Sequence, residues 1–103
     1  MTDIQKTGDA ATVLKRYLIE REVPGVGDAT TEQVADAATT SCAAITELSP
    51  NLKWEHSYRI ADRTYCVYLS VDEETIRRHG EIAGFPVTRI MEVRGIMSPA
   101  DAR

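Results

Sequence analysis

LKWEHSYRIADRTYCVYLSV, residues 52–71, is the stretch whose reading decides the fold. Two runs rich in aromatic and β-branched side chains, LKWEHSYRI and TYCVYLSV, flank Ala61, Asp62 and Arg63, and two such runs across a short polar break read as a β-hairpin. Upstream, Thr30 and Gln33 stand at capping-box spacing, which marks a helix start. Val34, Ala38, Cys42, Ile45 and Leu48 then recur at steps of three and four as one apolar stripe, until Pro50 and Asn51 end the helix. Before it, LKRYLIEREV predicts a strand over residues 14–22, closed by Pro24, Gly25 and Gly27. Downstream, Ser70 and Glu73 repeat the capping-box spacing and predict a second helix with Ile76, Ile82 and Ala83 on its apolar face. That helix stops at Gly84, a residue suited to a left-handed cap, before Pro86. TRIMEVRGIM, residues 88–97, is the last predicted strand.

The predicted order is strand, helix, strand, strand, helix, strand. This is the α+β, ferredoxin-like βαββαβ sandwich, an antiparallel sheet with two helices on one face. The domain is expected over residues 14–97, with a flexible polar arm at 1–13 and a polar tail at 98–103. Such a sheet leaves its other face uncovered, and an apolar open face is commonly buried in a dimer, so a homodimer through that face is expected.

A chain of 103 residues encloses one hydrophobic core, and 43% apolar with 27% charged residues is the composition of a folded domain. Sixteen acidic against twelve basic residues give a net charge of -4, which supplies no overall positive field for nucleic acid or an anionic membrane, and neither is an expected partner. No apolar run is long enough to span a bilayer, and MTDIQKTGDAATV lacks the basic-then-apolar pattern of a secretory signal. A cytoplasmic protein with Cys42 and Cys66 as free thiols is the expectation.

The residues able to do chemistry cluster around the hairpin. With a three-residue loop at 61–63, Tyr58 lies opposite Cys66 and His56 opposite Tyr68, which gathers donors and rings on one surface. A shift of one separates them, and then Trp54, Tyr58 and Ile60 side with Tyr65, Val67 and Leu69. His79 borders the buried stripe of the second helix and needs a hydrogen-bond partner, for which Glu20 on the first strand is a candidate. Cys66 in mid-strand and Cys42 on the helical stripe read as buried, unreactive thiols. Glu20, Arg21 and Glu22 read as a solvated strand end. There is no HxxxH, no CxxC and no glycine-rich phosphate loop, so no catalytic set emerges from motif spacing.

Over residues 14–97 the chain resembles a family of small bacterial proteins of unknown function whose members are described as nickel-binding. Trp54, Ser57-Tyr58, Asp62-Arg63 and Tyr65-Cys66-Val67-Tyr68 carry the resemblance. So do Asp72-Glu73, His79, Gly84-Phe85-Pro86 and Glu92-Val93, together with LIEREVPG at 18–25. The resemblance implies the dimeric ferredoxin-like fold and nickel as the bound divalent ion. Imidazole, carboxylate and thiolate suit that ion, and the candidate donors this chain offers are His79, His56, Glu20 and Cys66, which without a local ligand pair have to be assembled between elements or subunits. Two other readings stand beside it. A dimeric α+β barrel would enclose a small molecule, as binder or cofactor-free enzyme, in a pocket using Tyr58, Tyr68 and Trp54; a dimerising interaction domain would fill that space with side chains.

Overall fold

The computed structural model of the chain describes residues 13–103. The arm expected at 1–13 therefore lies, apart from Val13, outside the described residues. Six regular elements follow in the predicted order: β1 (Lys15–Glu22), α1 (Thr31–Leu48), β2 (Leu52–Ile60), β3 (Arg63–Ser70), α2 (Glu73–Ala83) and β4 (Arg89–Glu92). The strands form one antiparallel sheet in the order β2-β3-β1-β4, the ferredoxin-like arrangement. Both helices cover the same sheet face. Tyr17, Ile19, Leu52, Cys66, Tyr68 and Ile76 form the core there, joined by Ile45, Leu48, Trp54, Val87 and Ile90.

Local chemistry fixes the helix ends. The Thr30 side chain accepts from Gln33 N while the Gln33 side chain accepts from Thr30 N, the full capping box expected from the sequence. The start of α2 differs from the expectation. Ser70 is the last residue of β3, wholly buried, and its hydroxyl donates to Asp72 O. Asp72 is the cap instead, accepting from Thr75 N at 2.8 Å, and Glu73 opens the first turn. A carboxylate at this position also suits the positive end of the helix. Gly84 closes α2 at φ 77, as read from the sequence.

Three further expectations are corrected. The buried line of α1 runs through Ser41 and Ala44, and Cys42 is exposed. Serine displaces the more apolar cysteine because its hydroxyl meets partners inside. The hairpin turns on two residues, Ala61 and Asp62, since Ile60 pairs with Arg63. A β-bulge then breaks the alternation of β2 between Trp54 and His56, so that Trp54 pairs with Tyr68 on the helix side while His56 pairs with Val67 and Tyr58 with Tyr65 on the open side. One extra residue reverses side-chain parity along a strand. The Trp54 indole N–H donates to Ser57 Oγ at 3.0 Å across the bulge, holding both on the pocket side. Lastly, β4 spans only Arg89–Glu92, and the tail contains a 3-10 turn at Pro99–Asp101 capped by Ser98.

The hairpin tip is pinned to the segment after β1. Val23 N donates to Asp62 O, Gly25 N to Asp62 Oδ1 and Gly27 N to Ala61 O, each within 2.9 Å. Gly27 is required there for closeness: a Cβ on it would sit 2.9 Å from Ala61 Cα, a backbone atom that cannot move aside alone. Gly27→Ala is therefore expected to lower unfolding free energy by about 1–3 kcal/mol, the usual cost of overpacking. Urea denaturation measures it, and an unchanged midpoint would count against the contact.

Candidate functional site

Between α1 and the helix-facing side of the sheet lies a pocket of about 430 Å³. Its floor comes from β3 and β2, through Cys66, Tyr68, Trp54 and Ser57. The α1 wall is small and mostly apolar, with Val34, Ala37, Ala38 and Ser41. The segments after β1 and α2 close it with Val23, Val26, Phe85 and Pro86. The Trp54 and Tyr68 rings are stacked, 21° apart in plane with centroids 6.4 Å apart. Alternation along β1 puts Tyr17, Ile19 and Arg21 on one side, so Arg21 reaches the same space.

Arg21 is 3% exposed. Its Nη1 donates to Pro86 O at 2.7 Å, and its guanidinium carbon lies 5.6 Å from the Phe85 ring centroid and 6.0 Å from that of Tyr68. Aromatic faces offset part of the cost of burying a cation. Its Nη2 has no hydrogen-bond partner among the described residues. Gly80 lets the chain after α2 fold back closely: a Cβ there would stand 3.0 Å from Val87 Cγ2 and 3.1 Å from Phe85 O.

Beside Arg21, His79 is completely buried. Ser41 Oγ is 3.1 Å from His79 Nε2 and 3.4 Å from the Tyr68 hydroxyl, so serine links imidazole to phenol, while His79 Nδ1 has no partner. Burial, and then the neighbouring Arg21 charge, push His79 from 6.5 down to about 4, against the opposing effect of the Ser41 backbone. The imidazole is neutral at physiological pH. Burial likewise raises the Tyr68 phenol above its ordinary value.

The sheet divides the residues singled out in the sequence. His79, Cys66, Tyr68 and Trp54 lie on the helix side; His56, Tyr58 and Glu20 lie on the open side. Cys66 is buried, its Sγ 3.6 Å from Thr64 Oγ1. Glu20, expected as a partner for His79, instead pairs across the open face with Arg63 and with Arg89. His56 is exposed, with Nε2 3.1 Å from the Tyr58 hydroxyl. Glu55 holds Arg16 through two bonds of 2.8 and 2.9 Å, which keeps its carboxyl below the usual range, and these four side chains border an open-face groove with Val67, Val93 and Ile96. Among the described residues, no three His, Cys, Asp or Glu side chains gather as metal donors. Arg21 and Ser41 were not picked out from the sequence; continuing the alternation of Tyr17 and Ile19 by one step would have placed Arg21 inside.

The depressed His79 value has a definite sign. Between 6.5 and about 4 the unfolded chain takes up a proton that the folded chain refuses, so this contribution is complete above 6.5 and is lost as pH falls toward 4. The loss is on the order of 3 kcal/mol at most, from 1.36 kcal/mol per unit. His79→Gln, which keeps a polar group for Ser41, should flatten the stability profile through this window relative to the native chain; parallel urea-denaturation profiles would refute the assignment.

Residues 17–93 match the sequence profile described as nickel responsive protein SCO4226-like. The chain is similar to the crystal structure of SCO4226 from Streptomyces coelicolor A3(2), with a TM-score of 0.67 and 21% identity, over 80% of this chain and 99% of that one. No curated protein matches the chain. The structural likeness speaks for the fold, and the profile, running from β1 to the residue after β4, places this chain in the nickel responsive protein SCO4226-like family.

Proposed function

We propose that the chain is a binding protein whose ligand is a small, largely apolar molecule held between α1 and the sheet. The observation that carries this reading is the pocket itself: about 430 Å³ bounded by Trp54, Tyr68, Phe85 and the alanines of α1, with a few polar side chains, Ser41, Arg21 and Ser57 among them, in its lining. An apolar concavity of several hundred cubic ångströms with sparse polar groups is the usual form of a small-molecule site. Trp54 is the sole tryptophan and lies in the wall, so its indole N–H resonance reports occupancy. Titration with naphthalene-1-carboxylate and with naphthalene-1-carboxamide, followed by that resonance, should move it with at least one of the two. Ala38→Phe, which fills the space from α1, should abolish the change. No change with either compound in the native chain would sink the reading.

The family description favours a second reading, nickel binding, with the ion as cargo. The described donors of one chain do not fit such a site, since no three converge. Two copies joined through the open face would bring together two His56 imidazoles and two Glu55 carboxylates, donors suited to divalent nickel. The open face is apolar enough for such an interface: Tyr58 and Ile60 are 57% and 55% exposed, and Leu18, Tyr65, Val67 and Met91 beside them are half-buried. Calorimetry with nickel chloride on tag-free protein, with mass measured by light scattering, should show a dimer taking one ion per two chains, lost in His56→Ala. A monomer, or heat that survives His56→Ala, would overturn it.

A further inference from the structure

Resting on the pocket reading, we propose that the ligand is an anion, a carboxylate or similarly planar acid head on an apolar body, and that Arg21 binds the head. Arginine keeps its charge at any physiological pH, and burying that charge without a counter-ion is costly. Arg16, Arg63, Arg78 and Arg89 each meet a carboxylate, whereas Arg21, the most buried of these arginines, meets none among the described residues. One of its donors goes to Pro86 O; Nη2 has no partner.

The pocket repeats this imbalance. Its lining includes two arginines and no aspartate or glutamate, in a chain whose acidic residues outnumber its basic ones, 16 to 12. Arg59 is exposed and turns its Nη1 to the carbonyls of Val26 and Gly27, so Arg21 is the lining arginine whose unpartnered donor is buried. The Phe85 and Tyr68 rings lie against the guanidinium, and its edge is the part that presents the fork of N–H groups a carboxylate accepts in parallel. Nη2 is screened from solvent, so binding includes a small turn of the side chain toward the pocket. The Ser41 and Tyr68 hydroxyls, bonded to each other and to His79, stand nearby with at most one further O–H to offer. A purely structural Arg21, stabilised by the two rings and Pro86, would confer no preference between a charged head and a neutral one of the same shape.

The test compares naphthalene-1-carboxylate with naphthalene-1-carboxamide, which share a ring system and differ in head charge. Calorimetry on the full-length chain should show the carboxylate binding at least about tenfold more tightly, as a charge-assisted pair requires. Arg21→Met should erase the difference, and Arg21→Lys, which keeps the charge without the fork, should restore part of it. Equal affinities in the native chain overturn the proposal and leave the pocket reading standing. Binding of neither compound removes the pocket reading and this proposal with it. A preference that persists in folded Arg21→Met also overturns it, and because the native comparison needs no variant, the outcome does not depend on Arg21→Met folding.

Discussion

A guanidinium enclosed by its own fold is the constraint around which the helix-side layer is arranged. Water would solvate the Arg21 charge far better than an interior does, so each neighbour has to return part of that loss. Two aromatic rings lie against it, a carbonyl from the turn after α2 accepts from it, and the imidazole beside it stays uncharged. Each of these ties an element to β1. Phe85 and Pro86 bring the exit of α2 back over the sheet, Tyr68 contributes from β3, and Gly80 gives up a side chain to allow the approach.

The polar chain next to it reinforces that order. His79 on α2, Ser41 on α1 and Tyr68 on β3 form one hydrogen-bonded line through three elements. Such a line specifies how the helices sit on the sheet more sharply than aliphatic contacts do, because hydroxyl and imidazole bonds tolerate little displacement. It also explains why a serine occupies the centre of the buried stripe of α1.

The fold was readable in the sequence because its signals are local and redundant: the Thr30/Gln33 box, the Gly84 stop and the paired runs around Ala61-Asp62 each have a short-range physical cause. The pocket was less readable for equally definite reasons. Arg21 lies between two glutamates, and charge alone suggests solvent; only strand alternation from Tyr17 places it inside. Ser41 and Cys42 are neighbours on a helix with a small apolar contrast, and the choice between them depends on His79, 38 residues away. The bulge before His56 carries no glycine or proline to announce it, so the sequence left the hairpin register open. The donors singled out as a group, His79, His56, Glu20 and Cys66, are individually ordinary candidates; the sheet that separates them is a property of the assembled fold.

That bulge bears on how residues are matched between relatives. On either side of it β2 obeys opposite parity, so an alignment gap placed one position too early or too late exchanges pocket wall for open face throughout half the strand. At 21% identity to a solved relative, such a gap has few neighbouring matches to anchor it. A donor carried over to His56, or a wall residue carried over to Trp54, is meaningful only when the two backbones have been superposed through the bulge itself.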